Sequence, residues 1–286
     1  MPTRRKKQRL NKTFKRDRCS PSSTEAYTCF SKKTIYQLKK YWNARHIDNK
    51  ITATHPKAIW NDLREKLQHV CHKESCWLKQ QFIKHKLDTN LLEYIFAPPV
   101  PLSWTSNPNE WLNSLDILKV MKQYEREYAE FDFIGPTPID WNHHKVNGKC
   151  VWEELCTFDL KKQMREGKTK IGIIFNLDTH NKGGSHWVAL YICIKHRKII
   201  YWDSIGSKAP PRIKKFITKV KKQGKLLNIP FSVTENKIPN QRTSTECGVY
   251  CLHFIIEMLK LDKPVLFKTR ISDETIERFR KIYFNQ

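Results

Sequence analysis

Two apolar runs in the second half of the chain predict a pair of neighbouring β-strands. The first covers residues 186–194 and the second residues 199–203, and both are rich in β-branched and aromatic side chains. The basic break at 196–198 is short enough for a turn, so we expect the two strands to pair as an antiparallel hairpin. A third run, residues 170–177, predicts a further strand at the centre of the sheet.

Helical patterns flank these strands. Residues 248–260 are almost wholly apolar over three turns, which predicts a buried helix that ends before the Asp-Lys-Pro at 262–264. Apolar residues at helical spacing in 31–38 and 58–67 predict helices in the first third of the chain. The proline-rich stretch at 97–101 predicts a linker, because helices do not continue through such a stretch.

These shifts in pattern predict three parts. Residues 1–26 are expected to be a basic disordered tail, and residues 27–97 a mostly helical arm domain. Residues 98–286 mix helices with strands, which predicts a domain of the α+β class. We find no internal repeat in the sequence.

Composition restricts the class of protein. The 286 residues are 39% hydrophobic, which is ordinary for a globular chain, and no run approaches the length of a membrane span. The basic N-terminus is not followed by an apolar segment, so we expect neither secretion nor membrane insertion. Nine cysteines without paired spacing favour a reducing intracellular compartment over a disulfide framework.

The charge is strongly positive. Lys and Arg number 53 against 28 Asp and Glu, a net charge of +25 that attracts polyanions. The densest basic run is residues 4–9, with Arg4, Arg5, Lys6, Lys7 and Arg9, and Lys12, Lys15, Arg16 and Arg18 follow it in the same segment. This segment fits a nucleic-acid-binding arm or a nuclear localisation signal, and it equally fits a solvated tail. Both interpretations stay open.

Four residues occur in an order that indicates nucleophilic catalysis. Cys247 opens the apolar helix, whose dipole and free N–H groups favour a thiolate. The hairpin brings His186 and Asp203 together, because the end of its second strand faces the start of its first. An imidazole held by a carboxylate accepts the proton of a nearby thiol. Gln241 adds an amide that donates to an oxyanion alongside the backbone N–H of Cys247.

Each residue alone also has a structural interpretation. A cysteine in an apolar helix commonly belongs to a core, as we expect for Cys193 and Cys251. Asp203 alone fits a turn cap, and Gln241 alone fits a solvated loop amide. The joint order of the four residues and their strand and helix contexts favour a thiol hydrolase.

The pattern resembles a known family of enzymes. His186-Trp187, Asp203, Gln241 and Cys247-Gly248 resemble the ubiquitin-like-protein-processing and adenovirus-proteinase superfamily of cysteine proteases. Trp111-Leu112-Asn113 resembles the start of that family's catalytic domain, so the resemblance covers about residues 95–286. It implies a papain-like or adenain-like core, a central mixed sheet flanked by helices with the nucleophile at a helix N-terminus.

The resemblance also implies roles for these residues. His186 would be the base, Asp203 its orienting group, Gln241 the oxyanion donor and Cys247 the nucleophile. Trp187 would form the wall of a narrow slot for a small substrate residue. The family chemistry needs no metal and no organic cofactor, although adenovirus proteinase uses DNA as an activator, which makes DNA activation an expectation to test.

One departure changes the expected substrate. Members that remove SUMO usually carry Asn-Gly-Tyr-Asp before Cys-Gly, whereas this chain carries Thr-Ser-Thr-Glu at 243–246. That segment is similar to the proteases of large cytoplasmic DNA viruses. The similarity implies cleavage of structural precursor proteins at Gly-Gly-Xaa or Ala-Gly-Xaa sites during virion maturation. The expected location is therefore the virion and the host cytoplasm, with the nucleus open because of the basic tail.

Two other functions stay open. The first is removal of SUMO or another ubiquitin-like modifier, which shares the chemistry and differs in the docking surface. The second is a basic nucleic-acid-binding protein on a protease-like fold, against which the presence of all four catalytic residue types counts. The expected partners are thus a protein substrate and, through the tail, nucleic acid.

A zinc site is a further candidate in the arm. Cys71, His72 and Cys76 lie close together, but their spacing differs from a Cys-x2-Cys pair. The next cysteines, Cys150 and Cys156, lie across the linker. We therefore predict no metal site and assign these residues to packing.

Overall fold

The computed structural model describes residues 14, 15, 17–83, 94–144 and 147–285. The described residues up to Ala97, together with Asn285, form one compact unit, and Pro98–Phe284 form a second. The division falls inside the proline-rich stretch at 97–101. Among the described residues, no helix is long and apolar enough to cross a membrane.

The first unit is helical. It contains α1 (Lys32–Arg45), α2 (Pro56–Leu67) and the short α3 (Glu74–Trp77). The hydroxyl of Ser31 accepts the backbone N–H of Thr34 and so caps α1. Apolar residues of the helices share one core, which includes Ile35, Leu38, Trp42, Ile59, Leu63 and Trp77.

Much of the predicted tail packs on this unit. The buried carboxylate of Asp17 accepts the backbone N–H of Ser75 at 2.7 Å, and Lys15 donates its N–H to the carbonyl of His72 at 2.7 Å. The backbones of Cys19 and Phe96 pair in an isolated antiparallel β-bridge. The prediction of a disordered tail through residue 26 is therefore wrong for residues 17–26, because a buried carboxylate and backbone pairing anchor a polar segment. The densest basic run, residues 4–9, lies outside the described residues.

Six cysteines form disulfides, contrary to the sequence-based expectation. The pairs are Cys19–Cys29, Cys71–Cys76 and Cys150–Cys156, whereas Cys193, Cys247 and Cys251 are free and buried. The partners lie 10, 5 and 6 residues apart, so local loop geometry brings them together. The parts of the chain that the structure describes hold no cluster of three metal-ligating groups.

The second unit is built on a five-stranded mixed sheet. The strands in spatial order are β1 (Phe131–Pro138), β2 (Lys170–Asn176), β3 (Trp187–Cys193), β4 (Lys198–Trp202) and β5 (Ser232–Glu235). The two outer pairs, β1 with β2 and β4 with β5, are parallel. The two inner pairs are antiparallel, so the predicted hairpin of β3 and β4 is confirmed. β2 is an interior strand, and β3 lies at the centre.

Helices cover both faces of this sheet. They are α4 (Ser114–Glu127), α5 (Glu153–Cys156), α6 (Leu160–Arg165), α7 (Pro211–Leu226), α8 (Cys247–Lys260) and α9 (Asp273–Tyr283). Along β3, Trp187, Ala189 and Tyr191 share a core with α8, whereas Val188 and Leu190 share the opposite core with α7. This alternation follows the two-residue period of a strand. The predicted α+β class is confirmed.

Candidate active site

The thiol of Cys247 lies at the first residue of α8, as the sequence predicted. The residue is 1% exposed, and α8 is buried on nearly all sides because its sequence is apolar throughout. Free N–H groups and the positive end of the helix dipole surround the first turn. The next residue, Gly248, has little room for a side chain, because a Cβ there would meet the Cβ of Leu112 at 3.0 Å.

The sheet brings His186 and Asp203 together at one end of the hairpin. His186 precedes β3 and Asp203 follows β4, whose register pairs Ala189 with Trp202. The Nε2 atom of His186 lies 2.7 Å from Oδ1 of Asp203. Asp203 is 1% exposed, and its Oδ1 also accepts the backbone N–H of Ile205 at 3.0 Å. Two donors thus hold Oδ1 of Asp203, and this oxygen in turn orients the ring of His186.

The imidazole of His186 interacts with Asp203 and with the thiol of Cys247. Burial disfavours the imidazolium, but the hydrogen bonds and charges of these two partners outweigh it and raise the pKa of His186 to about 9. Because Nε2 is bonded to Asp203, Nδ1 is the ring nitrogen left for the thiol. A protonated imidazole beside a thiol is the arrangement of an activated cysteine nucleophile.

Gln241 is held near this pair by its neighbours. Its backbone N–H donates to the carbonyl of Ser204 at 2.9 Å, and its Oε1 accepts the hydroxyl of Ser204 at 2.6 Å. Its Nε2 donates one hydrogen to the carbonyl of Thr243 at 2.6 Å. Ser204 directly follows Asp203, so the amide is tied to the same turn as the carboxylate. The second hydrogen on Nε2 remains for another acceptor.

Helix α9 anchors the loop that leads to the nucleophile. The carboxylate of Asp273, at the start of α9, accepts the backbone N–H of Arg242 at 3.1 Å and the hydroxyl of Thr243 at 3.3 Å. It also accepts the hydroxyl of Tyr250 from α8 at 3.1 Å. Sequence analysis missed this residue. The only local signal is that Ser272 and Asp273 are typical of a helix start.

A buried ion pair fixes the residue before the nucleophile. The Nε atom of Arg280 lies 3.0 Å from Oε2 of Glu246, and both side chains are almost fully buried. The guanidinium also lies 4.4 Å above the ring of Trp104. Burial raises the pKa of Glu246 despite the attraction of Arg280. Helix α9 therefore holds the loop of residues 242–246, which leads to Cys247, at both of its ends.

A groove of about 640 Å³ begins beside Trp187. The indole N–H of Trp187 donates to the carbonyl of Leu112 at 2.9 Å, which fixes the ring against the segment that precedes α4. The remaining walls are apolar and aromatic side chains with a few polar groups. They include Trp111, Leu115, Leu118, Pro136, Trp152, Asn176, Asp178 and His180.

Comparison with known proteins is consistent with this geometry. The model of the Ulp1 protease family, C-terminal catalytic domain, matches residues 106–286, a segment that contains the whole candidate site. The resemblance and the protease-core fold that the sequence predicted are confirmed.

Viral proteins are among the most similar relatives. A protein of Acanthamoeba polyphaga mimivirus, described as a thiol protease, is 27% identical over 290 residues, with 93% of this chain and 92% of the relative covered. An African swine fever virus protein named SUMO-1 cysteine protease is 28% identical over 263 residues, covering 84% of this chain and 94% of the relative. The crystal structure of the African swine fever virus pS273R protease superimposes with a TM-score of 0.65 at 24% identity, covering 94% of this chain and 95% of that chain.

Proposed function

The chain belongs to the Ulp1 protease family and is a cysteine-type peptidase, and we propose that it cleaves structural precursor proteins during virion maturation. The observation that carries the proposal is the imidazole of His186 set between Asp203 and Cys247. The similarity to viral proteases extends over 93% of the chain and so includes the helical unit, whereas the family match begins at residue 106. This longer similarity supports the proposal that the chain acts on the same kind of substrate as those viral enzymes.

The proposed reaction follows from the contacts of the four residues. His186 takes the proton of Cys247 through Nδ1, and Asp203 stabilises the resulting imidazolium through Nε2. The thiolate attacks the scissile carbonyl, and the oxyanion is stabilised by the free N–H of the Gln241 amide and the backbone N–H of Cys247. His186 then gives its proton to the leaving amine. Water activated by His186 releases the acyl group from the thioester and restores the thiol.

The walls beside the nucleophile favour small substrate residues. Trp187 is held against Leu112, and Leu112 fills the space beside Gly248. The side chain of the substrate residue that provides the scissile carbonyl would have to pass between these bulky groups. We therefore propose cleavage after glycine, at Gly-Gly-Xaa or Ala-Gly-Xaa sites.

Removal of a ubiquitin-like modifier is the second candidate. The name of the African swine fever virus relative, SUMO-1 cysteine protease, supports it. The two functions share the reaction and the glycine preference. They differ in whether a short peptide or a folded modifier is needed for efficient cleavage.

The first experiment compares substrates directly. Purified protein and a Cys247→Ala control are incubated with fluorogenic peptides containing Gly-Gly-Xaa and Ala-Gly-Xaa, and with SUMO and ubiquitin carrying a C-terminal reporter, each with and without DNA. Cleavage of the peptides that needs Cys247 supports precursor processing. A strong preference for a folded modifier supports deconjugation instead. A rate that rises with DNA would support the proposed nucleic-acid partner, and silence on every substrate would overturn both protease functions.

A further inference from the structure

A second histidine and aspartate pair lies on the wall of the groove. Asp140 follows β1 and His180 follows β2, and these parallel strands bring their carboxyl ends to the same edge of the sheet. The Nδ1 atom of His180 lies 2.7 Å from Oδ2 of Asp140, and the backbone N–H of His180 donates to Oδ1 at 2.9 Å. A backbone bond from Ile139 to the carbonyl of Asp178 at 3.1 Å fastens the two segments together.

The pair has one buried and one open side. Asp140 is 4% exposed, whereas the side chain of His180 is 36% exposed and lines the groove. Burial opposes ionisation of Asp140, but its hydrogen bonds with the side chain and backbone of His180 prevail and lower its pKa. An ionised carboxylate accepts, so in the neutral imidazole the hydrogen lies on Nδ1 and the lone pair lies on Nε2.

The reaction does not use this pair. Cys247 interacts with His186, so the general base and its orienting carboxylate are already assigned. Among the described residues, Nε2 of His180 has no hydrogen-bond partner. The carboxylate of Asp178 lines the same wall. This part of the groove therefore presents two hydrogen-bond acceptors to a bound chain, namely Nε2 of His180 and the carboxylate of Asp178.

We propose that His180, held by Asp140, is a specificity-determining residue that accepts a hydrogen bond from the hydroxyl of a serine or threonine in the substrate. The inference rests on the proposed endopeptidase function, because it requires a peptide in the groove. A hydroxyl fits better than a cation, since Lys182 lines the same groove and the whole chain carries a charge of +25. A hydroxyl also fits better than an aliphatic side chain, because a bound aliphatic group would cover Nε2 without giving it a donor, which is unfavourable.

Threonine and valine have nearly the same shape, so they isolate the hydroxyl. Pairs of peptides share a Gly-Gly-Xaa core and differ at one position, which carries threonine in one peptide and valine in the other. The positions tested are the third to the fifth before the scissile bond and the second to the fourth after it. The ratio of kcat/KM for the two peptides is measured at one pH, so that groups acting only on the chemical step cancel. At one position the protein is expected to prefer threonine about fivefold.

The variants connect this preference to the pair. His180→Phe keeps a ring but removes Nε2, so the threonine-to-valine ratio of kcat/KM is expected to fall to about one. The double change Asp140→Asn with His180→Phe serves if the single variant unfolds, because it does not leave a buried charge without a partner. His55→Gln, an exposed histidine of the helical unit, is the matched control and is expected to keep the preference.

The outcomes separate the two proposals. Cleavage that needs Cys247 but shows the same threonine-to-valine ratio in the protein and in the His180 variants, at every position, overturns the role of His180 and leaves the peptidase function standing. Failure of the unaltered protein to cleave any peptide overturns the proposed function and this inference with it. Loss of the ratio in His55→Gln as well would also overturn the assignment to His180.

Discussion

The carboxylate of Asp203 lies 2.7 Å from Nε2 of His186 and is almost completely buried. The two residues are 17 positions apart and flank a single hairpin. Their contact, together with the thiol of Cys247, stabilises the imidazolium. Because Asp203 is shielded from water, its charge acts on the ring at low dielectric, where electrostatic interactions are strong.

The pH dependence of the reaction follows from His186. Its pKa of about 9 keeps the ring protonated at neutral pH, ready to give a proton to the leaving amine. We expect kcat/KM to fall as the pH rises through about 9. Asp203→Ala is expected to move this alkaline limb to lower pH and to lower kcat on the order of 10²-fold. A pH–rate profile of both proteins checks this; an unshifted limb in the variant would contradict it.

Stability should depend on pH through the same group. The folded-state pKa of about 9 lies above the ordinary value of 6.5, so folding binds a proton more tightly. The stabilisation is fully present below pH 6.5 and is lost as the pH rises through about 9. Cys247→Ala removes one of the two partners of His186, so the fall in stability with pH should become smaller. Thermal unfolding of both proteins from pH 6 to pH 10 measures the difference, and identical slopes would count against it.

Gln241 is expected to act on the transition state. Gln241→Ala removes a hydrogen-bond donor to the oxyanion, so kcat should fall on the order of 10²-fold with KM nearly unchanged. Ser204→Ala should give a smaller loss, because it removes the hydroxyl that orients the amide. Gln68→Ala is the control, because Gln68 is an exposed residue directly after α2. A loss confined to KM would place Gln241 in substrate binding instead.

The pair formed by Glu246 and Arg280 should matter more when one partner is removed than when both are replaced. Glu246→Gln leaves the buried guanidinium without its carboxylate and is expected to lower the free energy of unfolding by about 3–5 kcal/mol. The double change Glu246→Leu with Arg280→Met should recover most of it. Urea unfolding tests the cycle. Additive losses would show that the pair is not coupled.

That double variant also tests positioning of the nucleophile. If α9 anchors the start of α8 through this pair, kcat should remain low even where stability has recovered. Full activity in a stable double variant would limit the pair to a structural role.

Gly248 is expected to be sensitive because of Leu112. In Gly248→Ala the new Cβ meets that of Leu112 at 3.0 Å, so overpacking should cost about 1–3 kcal/mol. The carbonyl of Leu112 also accepts the indole N–H of Trp187. Displacement of Leu112 should therefore raise KM for glycine-containing peptides. Adding Leu112→Gly to the variant should relieve the overpacking, because it removes the Cβ that the new methyl group meets. Denaturation and steady-state kinetics of the three proteins check both effects.

Local sequence determined the parts of the molecule that depend on neighbours along the chain. The hairpin of β3 and β4 follows from two apolar runs and a short basic turn, and the same hairpin places His186 near Asp203. The start of α8 at Cys247 follows from an apolar run of helical length. Periodicity and turn chemistry suffice here because the interacting residues are close in sequence.

Contacts between distant segments were decided only by the tertiary structure. Asp273 bonds the loop 31 residues before it, and Arg280 pairs with Glu246 across 34 residues. Asp140 meets His180 across 40 residues because β1 and β2 are parallel neighbours. The anchoring of residues 17–26 depends likewise on Ser75, 58 residues from Asp17. No local pattern encodes these partners, since burial and strand order bring together side chains whose separate sequences are ordinary.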